Sequence, residues 1–334
     1  MKTPLTCEDI WEKLVSVYGP SGKEHAAAEV IRALAEPYAD EITKDTMGSL
    51  IVRKKGAGKK IMLSAHMDQI GMIVTYIEDD GYLRFCQVGG FAPADLVNTP
   101  VRFENGTAGV VSFGDEKKLS ELKVADMFID IGAKNRAEAE KLVNVGDIAI
   151  YAGRPMRNGD TLIAPYMDNR IGCAALLIAL SQIEKTENDL YFVFSVQEEV
   201  GLRGAKTAAY AIDPDLGIAV DVTDTGDVPD MKYGMAVKLG EGPTVKLLDS
   251  SVICAPEVVA LLSDTAKACA IPVQQEVLRA GGTDAGAIQL TRGGVPSGGV
   301  SIPTRYIHSA CEMVRLTDVE NAARLIAAAV VKSN

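Results

Sequence analysis

The chain has 334 residues, 47% of them hydrophobic and 24% charged, enough to bury a large core without disulfides and too balanced for a disordered or fibrous protein. Its formal net charge of -11 argues against a nucleic-acid partner, because phosphate binding needs clustered Lys and Arg. The one basic cluster, Arg53, Lys54, Lys55, Lys59 and Lys60, surrounds Gly56 and Gly58 and reads as a solvated turn.

The segment from Met1 to Leu14 carries Glu8, Asp9 and Glu12 where a signal peptide needs an apolar core, and no apolar run reaches membrane-spanning length. Cys7, Cys86, Cys173, Cys254, Cys269 and Cys311 are scattered, without a CxxC pair or the spacing of a disulfide framework. A cytoplasmic chain with reduced thiols and no membrane partner is therefore expected. Thr6 and Asp9 form a capping-box pattern ahead of Ile10, Trp11, Leu14 and Val15, and Pro20-Ser21-Gly22 separates this helix from a second over 23–35. Strand-type composition follows over 41–53 and 60–65, the latter ending at Ser64-Ala65-His66-Met67-Asp68.

From about residue 70 to 163 the pattern shortens into alternating strands broken at Asp80-Gly81, Asn105-Gly106 and Asn158-Gly159, each a hairpin signal. One short helix is expected within this stretch, over 137–143. Beyond Pro165 helices and strands alternate again: helix over 169–183, strand over 190–196, helix over 202–211, strand over 216–220, helix over 255–270. A last helix over 317–331 has Thr317 and Glu320 in capping-box spacing. The order predicts an α/β fold: a discontinuous mixed-sheet α/β domain over 1–68 and 164–334, interrupted by a small all-β domain over 69–163.

Acidic residues and histidines recur just after the predicted strands, where open α/β sheets place their ligand sites. They fall at His66-Met67-Asp68, Asp168-Asn169-Arg170, Gln197-Glu198-Glu199, Asp221-Val222-Thr223 and Tyr306-Ile307-His308, and two of the chain's three histidines are among them. Hydrolysis of an amide near neutral pH needs a strong nucleophile, which two divalent cations sharing a carboxylate can provide by activating water while they polarise the carbonyl. Imidazole and carboxylate ligands suit zinc, cobalt or manganese and lack the thiolates of a purely structural zinc site. Neighbours on an extended segment point to opposite sides unless a bend redirects them, so Glu198 and Glu199 have different tasks, one at a metal and one with protons. Gly281-Gly282-Thr283-Asp284-Ala285 fits either a catalytic loop or ordinary turn and N-cap chemistry before a helix over 285–290.

Taken together, Ser64-Ala65-His66-Met67-Asp68, Met167-Asp168-Asn169-Arg170, Val196-Gln197-Glu198-Glu199-Val200-Gly201, Asp221-Val222-Thr223, Gly281-Gly282-Thr283-Asp284-Ala285 and Arg305-Tyr306-Ile307-His308-Ser309 resemble the tetrahedral, dodecameric metallo-aminopeptidases. That family includes glutamyl, leucyl, lysyl and deblocking aminopeptidases, and some members have been labelled cellulase M. The resemblance implies a catalytic domain of metallo-aminopeptidase type whose inserted β domain serves oligomerisation and substrate access. It implies peptide substrates cut at their N-termini, a homo-oligomer of twelve subunits, and two divalent metal ions per subunit, with zinc or cobalt ahead of manganese. His66 and Asp221 would hold one metal, Glu199 and His308 the other, and Asp168 would bridge them. Glu198 would be the general base and Asp68 would orient the His66 imidazole. The 281–285 loop and residues 302–306 would line the substrate pocket. Gln69 departs from the pattern, standing where Glu is expected, and removes a charge near the site.

Two other classes are compatible with parts of the sequence. An endoglucanase-like glycosidase would use a carboxylate pair and would need neither His66 nor His308; 5% aromatic residues and a single Trp, Trp11, supply a sugar-stacking cleft poorly. A non-catalytic scaffold subunit on a peptidase fold would have no need to keep all five presumed ligands and the base.

Overall fold

The computed structural model describes residues 3–114, 117–231 and 234–332. Met1 and Lys2, the first residues of the segment read against a signal peptide, lie outside the described residues. Helices α1 (Cys7–Ser16) and α2 (His25–Ala35) precede β1 (Glu41–Lys44), β2 (Leu50–Lys54) and β3 (Lys60–His66). Six strands follow, β4 (Gly71–Ile77), β5 (Leu83–Val88), β6 (Thr99–Arg102), β7 (Ala108–Phe113), β8 (Met127–Asp130) and β9 (Ile148–Tyr151), with one helical turn, α3 (Arg136–Ala139), before the last. The chain continues through β10 (Met156–Asn158), β11 (Thr161–Ala164), α4 (Met167–Gln182), β12 (Asp189–Ser195), α5 (Arg203–Ile212), β13 (Leu216–Thr223) and β14 (Thr244–Leu248). It closes with α6 (Pro256–Ala268), β15 (Gln274–Val277), α7 (Asp284–Gln289), β16 (Ser297–Arg305), β17 (Glu312–Arg315) and α8 (Leu316–Val330).

The large mixed sheet runs β1-β2-β12-β3-β13-β16-β17-β11-β10, with β14 and β15 attached beside β16. Its centre, β12-β3-β13-β16, is parallel. Such strands are covered on both faces and need apolar side chains on both. Alternation sorts them: Ile61, Leu63, Phe192 and Phe194 join the core under α1, α4 and α8, while Met62 and Val193 meet Ala205, Ala208 and Ala209 of α5 and Ile288 of α7. Helix α4 is buried on nearly every side, which explains its continuous run of Ala, Leu and Ile. Gly172 near its start is required by close approach, because a Cβ there would lie 2.9 Å from the Val220 carbonyl oxygen and closer still to Asn169.

Strands β4-β5-β8-β7-β6-β9 close into a small antiparallel barrel, which leaves no free sheet edge. Met72, Val74, Val101, Val111, Ile129 and Ile150 fill its interior, each such burial contributing roughly 1.5–3 kcal/mol. The expected mixed α/β fold with a small β-rich unit is therefore observed. Hairpins turn at Asp80-Gly81 and Asn105-Gly106, where both glycines have positive φ.

Several local expectations change. The stretch 41–53 is two antiparallel strands, because the Asp45 carboxylate accepts hydrogen bonds from the N–H groups of Gly48 and Ser49 and folds the segment into a turn. The Asn158-Gly159 hairpin, grouped by sequence with the inserted β segment, pairs instead with β17 in the large sheet, where Leu162 and Ala164 find the main core. The helix over 137–143 shortens to α3, whose Asn135 cap accepts from the Glu138 N–H. Thr317 and Glu320 do not form a capping box: α8 starts at Leu316 directly after β17, the Thr317 hydroxyl donates to Asp160, and the Glu320 carboxylate accepts from the Cys7 N–H of α1. The Thr6 and Asp9 pair does form, with the Asp9 carboxylate accepting from the Thr6 N–H and hydroxyl. In the basic cluster Arg53 is not merely solvated, since its guanidinium makes a two-pronged bond to Asp189.

Candidate metal centre

The register of the parallel strands aligns their C-terminal ends. Ser195 pairs with His66 and Ala219 with Ser64, so His66 stands between the end of β12 and Asp221 near the end of β13. Loops leaving these ends meet in a cavity of about 550 Å³ lined by His66, Asp168, Glu198, Glu199, Asp221 and His308, among others. Turning the chain so sharply uses the left-handed region without glycine. Tyr166, Gln197, Leu202, Tyr306 and His308, five of the ten non-glycine residues with positive φ among those described, flank the cavity. Such conformations persist where surrounding structure holds them. The bend at Gln197 is the one needed to redirect the adjacent Glu198 and Glu199.

The expected residues His66, Asp68, Asp168, Glu198, Glu199, Asp221 and His308 come together. His66, Asp168 and Asp221 each offer an oxygen or nitrogen within 4.8 Å of the others, and so do Asp168, Glu199 and His308. Asp168 belongs to both groups: its Oδ1 is 3.0 Å from His66 Nε2 and its Oδ2 is 3.2 Å from His308 Nε2. Asp221 Oδ1 lies 3.7 Å from His66 Nε2, and Glu199 Oε2 lies 3.4 Å from His308 Nε2. Glu198 reaches the same centre from the side, 3.9 Å from His66 Nε2. Its carboxylate is in neither group.

Burial and like charge dominate the electrostatics. Desolvation, with Asp221 and Glu199 nearby, holds the Glu198 carboxyl well above its ordinary value, and Asp221 is raised by burial and by Asp168. Burial opposes the charged form of His66, yet Glu198, Asp168, Asp68 and Asp221 together hold its pKa well above the usual imidazole value. Asp168 is also desolvated, but hydrogen bonds from both imidazoles bring its carboxyl below the ordinary range. A site this rich in carboxylates demands positive charge.

Asp68, from the expected set, and Glu24, Asp284 and Glu312, to which the sequence assigns no such role, hold these groups in place. Asp68, fully buried, accepts from the Ser21 hydroxyl at 2.6 Å and from the N–H groups of Glu198 and Glu199 at 3.0 and 3.3 Å. Its carboxylate is 3.6 Å from His66 Nδ1, while its main-chain oxygen is nearer at 3.2 Å. Glu24 accepts from the Gln197 N–H, so the turn between α1 and α2 braces the same loop. Glu312, buried at the start of β17, accepts from the Asp168 N–H at 2.8 Å and the His308 N–H at 2.7 Å. Asp284 accepts from the hydroxyls of Ser64 and Ser195, both at 2.6 Å, and ties α7 beneath His66. Glu24 carries no motif that marks its partner, Asp284 lies in the 281–285 motif but nothing there indicates Ser64 and Ser195, and Glu312 is marked only by its spacing, four residues after His308.

Gln69 is buried and its Oε1 accepts from Arg170 Nη2 at 2.6 Å. The other bonds of that guanidinium go to the carbonyl oxygens of Leu14, Val17 and Gly19, so its immediate partners are neutral. Burial lowers the Arg170 pKa to about 10. A Cβ at Gly19 would come within 2.7 Å of Arg170 Nη2, which accounts for the glycine. In the 281–285 segment Gly281 and Gly282 line the cavity, and Thr283 stands at the N-cap position of α7 without a side-chain cap hydrogen bond. Residues 302–306 do not line it, because β16 buries Ile302 and Thr304; Ile307 and His308 take that place.

Among proteins of known family, the model of the M42 glutamyl aminopeptidases matches residues 48–325. A chain from Acetivibrio thermocellus is 50% identical over 325 residues, spanning 96% of this chain and 98% of that one. The structure of an aminopeptidase from the archaeon Desulfurococcus kamchatkensis superposes with a TM-score of 0.94 at 37% identity, covering 98% of this chain and 94% of that one. The TET1 peptidase of Pyrococcus horikoshii, which can assemble into a tetrahedron or a large octahedral shell, has a TM-score of 0.88 at 32% identity, with 98% and 100% covered.

Proposed function

Since the chain belongs to the M42 glutamyl aminopeptidase family, and is a peptide hydrolase on that ground, we propose that it releases N-terminal residues from peptides at a centre of two divalent metal ions. The observation that carries this reading is the shared carboxylate: Asp168 is a member of two groups, one completed by His66 and Asp221 and the other by Glu199 and His308. The residues fit such ions. Their donors are imidazole and carboxylate, suited to zinc or cobalt and also to manganese, and the Glu199 Oε1 atom is buried without a hydrogen-bond partner. When bound, the ions supply Lewis-acid polarisation of the scissile carbonyl and acidify water toward neutrality.

Glu198 is the general base. Held out of both ligand groups and raised by its desolvated surroundings, it takes a proton from the attacking water and later delivers it to the leaving amine. Asp68 keeps this geometry by accepting from the main chain of Glu198 and Glu199 and by lying against the His66 imidazole. Spare lone pairs on Glu198, Glu199 and Asp221 accept hydrogen bonds from the substrate's α-ammonium, which makes the enzyme an exopeptidase.

In this reading residues 1–68 and 164–334 form the catalytic domain and 69–163 the insertion, with β10 and β11 joined to the catalytic sheet. The barrel serves oligomerisation and controls access in a dodecamer; the assembly, though not the barrel's part in it, is supported by the likeness to the TET1 peptidase, a dodecamer in one solved structure. A cytoplasmic location is supported by six free thiols; among the described residues no helix is long and apolar enough to cross a membrane.

The test is metal stoichiometry together with hydrolysis of aminoacyl-amides. Chelation abolishes hydrolysis and zinc or cobalt restores it; Asp168→Ala loses both ions, whereas His308→Ala chiefly loses one. Two tightly bound ions in Asp168→Ala would overturn the shared-carboxylate assignment.

A further inference from the structure

One wall of the cavity is not used by the chemistry proposed above. It is formed by Thr223 and Asp224 at the end of β13 on one side, with Leu278, Ala280, Gly281 and Gly282 contributing elsewhere. Asp168, Glu198, Glu199 and Asp221 are occupied by the two histidines or assigned to ligation and proton transfer. Asp224 is the remaining carboxylate of the lining, and no Lys or Arg is among the lining side chains of the described residues. Beside it the Thr223 hydroxyl, 1% exposed, has no partner and borders the same cavity. The glycines and Ala280 leave room for an extended side chain.

We propose that Asp224 determines specificity by accepting the cationic end of a lysyl or arginyl side chain at the substrate's N-terminus, with the Thr223 hydroxyl as a further acceptor. The inference rests on the aminopeptidase reading and adds the substrate class to it. Lysine's aliphatic stem lies along Leu278 and Ala280 while its ammonium meets the surplus carboxylate. A glutamyl side chain would bring a second negative charge to Asp224 with no lining cation to offset it. Thr223 is buried, whereas the Asp224 side chain is exposed at the edge of the cavity, open to an incoming ligand.

The test compares kcat/KM of the metal-loaded enzyme for lysyl-, arginyl-, norleucyl- and glutamyl-amides. Norleucine has lysine's chain length without the ammonium. The lysyl to norleucyl ratio is expected to be about two- to fivefold, to collapse toward one in Asp224→Asn, and to persist in Asp224→Glu. Asp224→Lys should turn the preference toward glutamyl-amide. Calorimetry with free L-lysine and L-norleucine reads the same contact without turnover, and Asp224→Asn should erase the difference. A wild-type preference for glutamyl-amide, or a lysyl to norleucyl ratio unchanged in Asp224→Asn, would overturn this inference while leaving the aminopeptidase reading intact. Hydrolysis of none of the amides by the wild type would overturn both.

Discussion

Glu198 and Glu199 are sequence neighbours with opposite surroundings. Glu199 faces His308 at 3.4 Å, whereas Glu198 stands beside the His66 group without joining it. Replacing Glu198 by Gln removes a proton acceptor but no ligand, so turnover is expected to fall by about 10²–10⁴ while the metal content stays near that of the wild type. Rate and metal analysis on one preparation decide the matter. Loss of metal along with rate would make Glu198 a ligand, and unimpaired turnover would remove it from the mechanism. The neighbouring groups work through main-chain bonds: Glu312 fixes the N–H groups of Asp168 and His308, and Asp68 those of Glu198 and Glu199.

At the scale of elements, α8 shows how one buried carboxylate ties a long connection to the core. Asp318 in its first turn accepts from the N–H groups of Gly240 and Gly242 at 2.8 and 2.9 Å, and so anchors the segment that leads into β14. Burial raises its pKa to about 6 from an ordinary value of 3.8. The native state therefore holds this proton over a window in which the unfolded chain releases it. The group's contribution to stability is greatest below pH 4, falls as pH rises toward 6, and levels off above, by about 3 kcal/mol for a shift of this size. Asp318→Asn lacks this component. Urea unfolding of both proteins at intervals from pH 4 to 7 should show the wild type's advantage shrinking, or its deficit growing, as pH rises. A difference independent of pH would mean that Asp318 ionises normally.

For the whole molecule, the decisive property is which end of a peptide reaches the cavity. The carboxylates around the centre suit a protonated α-amine, and an acetylated N-terminus lacks that charge and adds bulk. Free peptides are therefore expected to shorten stepwise from the N-terminus, with most acetylated counterparts cut far more slowly. Mass spectrometry of timed digests of one peptide in both forms checks this. Early internal fragments, or equal rates for the two forms, would refute amine recognition even if the metal chemistry held.

Much of this protein was legible locally. Helix caps, glycine turns and apolar alternation are short-range physics, and they located the Thr6–Asp9 box, the turns at Gly81 and Gly106, and the run of acidic residues and histidines after strands. Strand-end placement needs only the strand and the residue that follows it, which is why His66, Asp168, Glu198, Glu199, Asp221 and His308 could be named before any contact was seen. Tertiary structure decided everything that depends on which distant segments pair. His66 meets Asp168 across 102 residues, and Asp168 meets Glu312 across 144. The β10–β11 hairpin joins the large sheet through β17, Glu24 and Asp284 turn out to brace the site, and Asp224 faces the cavity. Turn chemistry sets φ and ψ for a few residues and periodicity sets which face is apolar. The choice of a buried carboxylate's partner is made by packing and desolvation, which act only once the strands are side by side.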